Sequence, residues 1–461
     1  MNKYLKKMAG TLMIASVILT NTALAQQWDV NFIQQHLQER VDLQKAATGI
    51  SVALISDAGV EYISYGSTTH EGSPVDELSV YEIGSITKIF TASILAEMIT
   101  EGELNLDDSI SQFLPSTINI PTRNNQSISL RNLSNQNSGL PRLPTNLSPE
   151  DLSNPYADYS VQQMYEFLND YELTRDVGEV YEYSNLGVGL LGHVLAQKAG
   201  SGYEALVTEK ILAPLAMSDT SITLSADQLD RLAFGHDFEL NQVPNWDLPT
   251  LAGAGALRST TSDMAKFIAA NLDSGNSSMT NALQLTHENR TATTTPNIEI
   301  GLNWHISTDH GTEVIWHNGG TGGYRSFAGF VKDKNIGVVV LANSVSSVDD
   351  LGFYLLEPAY PLIDFRKELS PNEMNTDHYQ QYTGLYQLAP NFSLHITIEG
   401  SSLFAQATGQ PKFQIFQEAE HEFFLRVVDA QISFILDEVG NIGSLVLHQG
   451  GADMPAPRVD E

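Results

Sequence analysis

The 461-residue sequence contains no cysteine. It therefore cannot form disulfides, use a thiol nucleophile, bind a metal through thiolates or carry lipid on an N-terminal cysteine. Basic residues are scarce, with 24 Lys and Arg against 55 Asp and Glu and a formal charge of −31. Attraction to phosphate needs clustered cations, so the charge disfavours binding to nucleic acid or to an anionic membrane. With 42% apolar residues and only 17% charged, the composition favours a folded chain of several domains.

The sequence also lacks any apolar run long enough to span a bilayer, including the run at its N-terminus. Residues 1–25 carry Lys3, Lys6 and Lys7 near their start, continue with an apolar stretch from Met8 to Leu19 and end in Ala-Leu-Ala. This pattern is typical of a secretory signal peptide cleaved before Gln26, while the alternative of a membrane anchor needs a longer stretch. Cleavage removes three lysines and no acidic residue, so the mature charge becomes −34. We therefore expect a periplasmic or secreted protein without a membrane partner.

Two β-rich segments flank a mostly helical region at about residues 103–295. Residues 48–67 predict a hairpin around Asp57-Ala58-Gly59, and residues 324–343 predict two further strands around a polar turn. Such segments can close one sheet, with the helical insert forming a second lobe. The sequence thus predicts an α+β fold, an antiparallel sheet flanked by helices plus a helical lobe, within a domain at residues 26–362.

A helix over residues 86–99 is predicted to be buried on most sides, because its residues are apolar nearly all round. Ser85 is expected to cap its start and Gly102 to end it. Three further helical runs are predicted within the insert: Val161–Tyr171, Leu186–Ala199 and Ser262–Leu272.

A composition change near residue 360 predicts a second domain. Residues 363–378 are interpreted as a linker. After it, short alternating runs punctuated by glycines predict a small all-β domain at residues 379–461, a barrel or sandwich of seven or eight strands. We expect the residues from Gly451 onward to be frayed.

The first candidate for chemistry is the sequence Ser85-Ile86-Thr87-Lys88 at the start of the buried helix. Residues three apart share one helix face, and burial lowers the pKa of a lysine, so Lys88 could take the proton that makes Ser85 a nucleophile. A capping serine beside a surface lysine is the simpler alternative.

Two other stretches carry suitable groups. In Tyr183-Ser184-Asn185, a phenol near a cationic lysine would lose its proton more easily, and an amide could donate to a substrate carbonyl. A core tyrosine beside a helix-capping asparagine explains the same residues. In residues 316–323 (WHNGGTGG), small residues would let a substrate backbone approach an edge strand, whose free N–H could serve in an oxyanion hole. A glycine-rich turn is the alternative there.

Taken together and in this order, Ser-x-x-Lys, Tyr-x-Asn and His-x-Gly resemble the serine β-lactamase and penicillin-binding protein superfamily, in particular its class C β-lactamase branch. Other stretches are similar to that branch as well: 104–108 (LNLDD), 130–141 (LRNLSNQNSGLP), 178–192 (GEVYEYSNLGVGLLG), 212–217 (LAPLAM) and 251–264 (LAGAGALRSTTSDM). The resemblance covers roughly residues 30–350, and the tail resembles the barrel-like domain often appended to such hydrolases.

The resemblance implies a role for each motif. Ser85 would be the acylated nucleophile, and Lys88 and Tyr183 would share proton transfer as a coupled pair. The other implied roles fall on the substrate: Asn185 would orient its amide, the N–H groups of Ser85 and Gly320 would hold the oxyanion, and His317, Gly319, Gly320 and Arg325 would bind it. No metal and no organic cofactor is implied.

The third motif departs from the family pattern, which has Lys-Thr-Gly where this sequence has His317-Asn318-Gly319. A histidine with a pKa of about 6.5 is mostly neutral at pH 7.5, so recognition of a substrate carboxylate should weaken. Arg325 could restore a positive charge, or it could be a strand residue that points to solvent. Asn135, Gln136 and Asn137 replace another family sequence, and no mechanism follows from that change.

The sequence therefore predicts an exported serine hydrolase that acts through a Ser85 acyl-enzyme. Its substrate would be a small molecule or peptide, such as a β-lactam or a D-amino-acid peptide of the kind derived from the cell wall. Two alternatives stay open. One is an esterase or D-aminopeptidase of the same family, and the other is a binding protein that is acylated by penicillin or occupied by wall peptide without turnover. The oligomeric state is not predicted.

Overall fold

The computed structural model describes residues 28–363, 376–389, 392–410, 412–425, 430–437, 439–449 and 452–459. The predicted signal peptide lies outside the described residues, and so do residues 364–375 of the predicted linker. Within the described ranges, no helix is both long and apolar enough to cross a bilayer.

The central element is one antiparallel sheet built from both ends of the first domain. Its strands are β1 (Gly49–Ser56), β2 (Gly59–Gly66), β7 (Thr291–Ala292), β8 (Ile298–Ile300), β9 (His305–Ser307), β10 (Val314–Gly320), β11 (Arg325–Val331) and β12 (Ile336–Ala342). Their order is β2-β1-β12-β11-β10-β9-β8-β7. The predicted hairpins β1–β2 and β11–β12 are joined by the antiparallel pairing of β1 with β12. The predicted α+β class and the closure of one sheet from distant segments are confirmed.

Four short strands lie between β2 and β7. They are β3 (Tyr81–Glu82), β4 (Thr122–Arg123), β5 (Gln126–Ser127) and β6 (Arg258–Ser259), with β3 paired to β6 and β4 to β5. The helices are α1 (Val30–Gln38), α2 (Thr87–Thr100), α3 (Leu130–Ser134), α4 (Val161–Asp170), α5 (Asn185–Ala199), α6 (Tyr203–Val207), α7 (Ala226–Asp230), α8 (Ala252–Gly255), α9 (Thr261–Leu272), α10 (Ser278–Glu288) and α11 (Asp349–Leu356).

Helices cover both faces of the sheet. Helices α1 and α11 pack on one face around Ile33, Leu37 and Leu351, while α9 packs on the other face through Phe267 and Ile268. The run Ser262–Leu272, which the sequence assigned to the helical insert, is therefore a layer of the sheet domain. Helices α2, α5, α8 and α10 pack against one another on the side of α9 that faces away from the sheet.

Helix α2 is the centre of the helical region. Every residue from Thr87 to Met98 is buried, as its uniformly apolar sequence predicts. Gly102, with a φ of 77°, follows the last turn in the left-handed conformation that ends helices. The prediction that Ser85 caps this helix is wrong, because Ser85 lies in a preceding 3-10 turn, Gly84–Ile86, and α2 has no side-chain cap.

The C-terminal unit is a closed eight-stranded barrel, within the predicted range of strand number. Its strands are β13 (Gly384–Ala389), β14 (Phe392–Glu399), β15 (Ser402–Ala407), β16 (Lys412–Ala419), β17 (Glu422–Leu425), β18 (Ala430–Leu436), β19 (Ile442–Gln449) and β20 (Ala452–Val459). A 3-10 helix, Thr376–Tyr382, precedes it and packs Tyr379 and Tyr382 into the barrel core. The predicted fraying after Gly451 is wrong, because β20 pairs with β19 and closes the barrel against β13.

Candidate active site

Ser85 lies where a tight turn joins β3 to α2. The turn begins at Gly84, whose φ of 49° lies in the left-handed region. A Cβ atom at Gly84 would lie 2.8 Å from the backbone nitrogen of Gly320 at the end of β10. Because Gly84 has no side chain, the end of β10 can pack directly against the turn. The Ser85 side chain is partly exposed, in a position where a substrate could reach it.

Lys88 lies one helical turn further on, directly beneath the serine. Its Nζ donates to Ser85 Oγ at 2.9 Å and to the Ala254 carbonyl oxygen at 2.7 Å. The side chain is fully buried, and no carboxylate lies among its hydrogen-bond or ion-pair partners in the described structure. The alternative of a surface lysine beside a capping serine is thereby excluded.

Tyr183 approaches the same serine from the loop before α5. Lys88 Nζ lies 4.8 Å from the centroid of the Tyr183 ring, and Ser85 is close enough to the phenol to lower its pKa. The three groups that the sequence predicted to meet are thus brought together from two segments almost 100 residues apart.

Burial shifts the pKa values of Lys88 and Tyr183 in opposite directions. Burial, and then the nearby Arg142, hold the pKa of Lys88 well below its usual value of 10.5. Burial raises the pKa of Tyr183 above its usual value of 10, against smaller lowering effects of Ser85 and Arg142. The expected lowering of the phenol pKa by a cationic lysine is therefore wrong in direction. In this pocket the amine favours its neutral form and the phenol keeps its proton.

The position of Tyr183 is fixed by a residue to which sequence analysis assigned no role. Gln136 Oε1 accepts a hydrogen bond from the Ser184 N–H at 2.7 Å, and the Gln136 carbonyl oxygen accepts one from the Glu182 N–H at 2.7 Å. Gln136 Nε2 in turn donates to Asn303 at 2.8 Å. Gln136 therefore holds the backbone on both sides of Tyr183, and its side-chain oxygen, side-chain nitrogen and carbonyl oxygen each have a hydrogen-bond partner.

Asn185 is the first residue of α5, and Ser184 rather than Asn185 caps that helix. The Ser184 Oγ accepts from the Gly187 N–H. Asn185 Nδ2 lies 3.5 Å from the hydroxyl of Tyr156, and its Oδ1 is buried without a hydrogen-bond partner among the described residues. This unused acceptor suits a contact with the N–H of a substrate amide, whereas the sequence predicted that the Asn185 amide donates to a substrate carbonyl.

An aromatic wall lies beside Asn185 and was not predicted from the sequence. Tyr156 packs edge-on against Trp246, with ring centroids 5.4 Å apart. Trp246 lies against Gly322 of the β10–β11 turn, where a Cβ atom would be 2.7 Å from its Nε1. The wall therefore connects the loop before α4 with the edge of the sheet.

The glycines of the third motif let β10 approach the Ser85 turn. A Cβ atom at Gly319 would collide with the carbonyl oxygen of Ile83. The Thr321 N–H donates to the Tyr324 carbonyl at 3.1 Å, so the next ladder pair, Gly320 and Arg325, is not hydrogen-bonded across the strands. The Gly320 N–H consequently points away from β11, as a donor for an oxyanion requires.

His317 is buried beneath the site and does not present a charge to it. Its side chain has no exposed surface, and burial, followed by the neighbouring His305 and Lys88, holds its pKa well below 6.5. Its Nδ1 lies 2.6 Å from the Asn318 carbonyl oxygen, while Nε2 has no hydrogen-bond partner among the described residues. Burial also lowers the pKa of His305 to about 4. The prediction of a neutral histidine agrees with this geometry.

Two arginines border the pocket on different sides. Arg325 is partly buried and donates through Nη1 to the carbonyl oxygens of Thr321 and Tyr324, so it curls over Gly320 and does not extend into solvent. Arg142, which sequence analysis did not single out, is exposed, with its Cζ 5.1 Å from the centroid of the Tyr183 ring. It directly follows the similar stretch at residues 130–141, which was the only signal available for it.

Comparison with known proteins gives two matches along the chain. Residues 31–355 match the family described as beta-lactamase, and residues 369–459 match a family described only as a domain of unknown function, DUF3471. Among curated proteins, the D-alanyl-D-alanine-carboxypeptidase/endopeptidase AmpH of Escherichia coli K12 is 29% identical over 310 residues. That alignment covers 64% of this chain and 79% of AmpH.

Solved structures give the same result for the fold. A beta-lactamase/D-alanine carboxypeptidase from Yersinia pestis, complexed with citrate, superposes with a TM-score of 0.60 at 26% identity, covering 69% of this chain and 93% of that one. A class C beta-lactamase superposes with a TM-score of 0.62 at 23% identity, covering 72% of this chain and 97% of its own.

Proposed function

This chain belongs to the beta-lactamase family, and on that premise we propose that Ser85 is the residue it acylates while hydrolysing an amide or ester bond. The chain is a serine hydrolase of the class C beta-lactamase and D-alanyl-D-alanine carboxypeptidase type. One observation carries the assignment of the nucleophile, namely the buried Lys88 amine 2.9 Å from Ser85 Oγ.

In the acylation step, neutral Lys88 takes the proton of Ser85 as Oγ attacks the substrate carbonyl carbon. The low pKa of Lys88 supports this role, because an amine that stays neutral near pH 7 has a lone pair available. The carbonyl oxygen becomes an oxyanion, which the N–H groups of Ser85 and Gly320 would hold. The substrate backbone would lie against Gly319 and Gly320. The side-chain amide of Asn185 would form a hydrogen bond with the substrate amide.

Collapse of the tetrahedral intermediate breaks the bond to the leaving nitrogen or oxygen. Tyr183, whose high pKa keeps its proton in place, would pass that proton to the leaving atom and regain one from Lys88. Water then attacks the acyl-enzyme, with the same two groups taking and returning its proton. The pair works as one unit in both halves of the reaction.

The third motif bears on which substrate is used. Where the family pattern has a lysine, the buried and neutral His317 offers no charge to a carboxylate. A substrate that relies on a cation at this position, as β-lactams do in the family pattern, is therefore disfavoured. D-amino-acid peptides are the first candidate class because the related AmpH is named a D-alanyl-D-alanine-carboxypeptidase/endopeptidase. Neutral esters are the second candidate class, because they need no cation and the wall of Tyr156 and Trp246 offers them an apolar contact. Arg325 would contribute a weaker positive charge beside Gly320.

The proposed setting of this activity rests on the N-terminal sequence. The signal-peptide pattern in residues 1–25 supports a periplasmic or secreted enzyme, where cell-wall-derived peptides are available. The mature charge of −34 supports the absence of nucleic-acid and membrane partners.

The proposal is tested by hydrolysis of nitrocefin, p-nitrophenyl acetate and a D-alanyl-D-alanine peptide. Ser85→Ala should abolish turnover of every compound that the wild type hydrolyses. The matched control is Ser93→Ala on the same helix, because Ser93 Oγ donates only to the Ile89 carbonyl within α2. Equal activity of wild type and Ser85→Ala would overturn the proposal. Stable acylation of Ser85 without turnover would instead identify a penicillin- or peptide-binding protein.

A further inference from the structure

Arg142 is a cation without a partner at the mouth of the pocket. Its guanidinium is exposed, lies 5.1 Å from the Tyr183 ring centroid, and makes no ion pair or side-chain hydrogen bond with any described residue. Other described arginines of the first domain do form ion pairs with carboxylates: Arg40, Arg123, Arg131, Arg175, Arg231, Arg258 and Arg290. A free guanidinium is therefore unusual in a chain where acids outnumber bases by 55 to 24.

The backbone of Arg142 is hydrogen-bonded to the start of α5, directly after Tyr183 and Ser184. Its carbonyl oxygen accepts hydrogen bonds from the N–H groups of Asn185 at 3.0 Å and Leu186 at 3.3 Å. The side chain therefore starts from a fixed point beside Tyr183, and its position is set by the same helix start that positions Asn185.

The other cations near Ser85 are less able to bind an anion. Lys88 is fully buried and already donates to Ser85 and Ala254. Arg325 donates to two backbone carbonyls. Among the described residues around Tyr183, Arg142 has its guanidinium donors available.

We propose that Arg142 binds the carboxylate of the substrate's leaving group. This inference rests on the proposed function, in which Tyr183 protonates the leaving atom. In an amino-acid leaving group, the carboxylate lies one carbon from the scissile nitrogen, so it would lie beside Tyr183 and under the guanidinium. Arginine and carboxylate form paired, charge-assisted hydrogen bonds. The substrate class is therefore an acyl-amino acid or peptide with a free C-terminal carboxylate.

The test compares two thioesters that differ only in that charge: an N-acylglycyl ester of thioglycolic acid and the methyl ester of the same compound. Thiol release gives kcat/KM for both, measured with wild type, Arg142→Gln and Arg142→Lys at a pH on the plateau of each enzyme's profile. The control is Lys198→Gln, which removes one charge from the far end of α5, roughly 20 Å from its start.

Arg142→Gln should lower kcat/KM for the acid by roughly 10- to 100-fold and for the methyl ester by less than about 3-fold, as expected for loss of a charged hydrogen bond. Arg142→Lys should give an intermediate loss on the acid, and Lys198→Gln should change neither. An equal loss on both thioesters, or no loss on either, would overturn the inference. Ser85→Ala separates the two proposals, because it must abolish both reactions if the proposed function holds, whatever Arg142 does.

Discussion

The Lys88 Nζ atom lies 2.9 Å from the hydroxyl oxygen of Ser85 while the lysine side chain has no exposed surface. A charged amine in this position would lose its hydration with no carboxylate to compensate, so the fold favours its neutral form. The same burial that makes Lys88 a base near neutral pH must therefore lower the stability of the protein whenever the amine is protonated.

Lys88→Met should lower kcat/KM by roughly 10²- to 10⁴-fold, the range for loss of a general base. Its stability relative to wild type should depend on pH in a defined direction. The pKa of Lys88 is lower in the folded protein than the value of 10.5 that applies when it is unfolded, so wild-type stability rises with pH between those two values. The stability of Lys88→Met minus that of wild type should therefore fall by up to about 1.4 kcal/mol per pH unit as pH approaches 10.5. Urea unfolding at several pH values measures this difference, and a constant difference would contradict the assignment.

Gly319 and Gly320 should respond differently to substitution with alanine. At Gly319 the new Cβ would collide with the Ile83 carbonyl, so β10 must move away from the Ser85 turn and carry the Gly320 N–H with it. We expect a loss of kcat/KM of roughly 10²- to 10³-fold, as for removal of an oxyanion donor. At Gly320 the Cβ would meet only the end of the Arg325 side chain, with Nη1 at 2.8 Å, and that chain can rotate. Gly320→Ala should therefore keep its activity within about tenfold of wild type. Similar losses of kcat/KM in both variants would show that the contact between β10 and the Ser85 turn does not determine the activity.

Gln136→Met removes the side-chain hydrogen bonds that hold the Tyr183 loop. The Ser184 N–H and the Asn303 side-chain oxygen would lose their partners, at a cost of about 1–3 kcal/mol for each buried group left unpaired. We expect a lower melting temperature together with a lower kcat, because Tyr183 is no longer fixed. Gln197→Met, at the exposed end of α5, is the control and should change neither quantity. A variant that loses stability but retains full kcat would show that Gln136 does not position Tyr183.

Arg142→Gln should shift the pH profile of neutral-ester hydrolysis. Arg142 lowers the pKa of both Lys88 and Tyr183. Its removal should raise both values, so a reaction that needs neutral Lys88 will reach its plateau at higher pH. The acid limb of the kcat/KM profile should therefore move to higher pH in Arg142→Gln, while Lys198→Gln leaves it in place. An unchanged limb would show that the group titrating there is not Lys88.

The sequence was sufficient for elements whose pattern is local. The hairpins β1–β2 and β11–β12 follow from alternating residues around a turn, and α2 follows from an apolar sequence that leaves no polar face. The meeting of Ser85 with Tyr183 could be expected only from the order of motifs, because no local pattern connects two segments so far apart.

Contacts between distant backbone groups could not be predicted. Gln136 acts through bonds to Ser184 and Asn303, and its residue type gives no indication of either. Strand β20 carries Pro455 and Pro457, which weaken a strand prediction, yet closure of the barrel gives this segment partners on both sides. Ser85 was expected to cap α2, a local rule that fails because Ser85 lies inside the 3-10 turn Gly84–Ile86 and α2 begins only at Thr87.

The identity of the nucleophile is tested most directly by intact-protein mass spectrometry after treatment with a fluorophosphonate. An activated serine displaces fluoride from phosphorus and keeps the phosphonyl group, so the adduct does not depend on knowing the substrate. We expect one adduct per chain, located on the peptide that contains Ser85, formed by wild type and Ser93→Ala, greatly slowed in Lys88→Met and absent from Ser85→Ala. Labelling on another residue, or equal labelling of Ser85→Ala and wild type, would contradict the account.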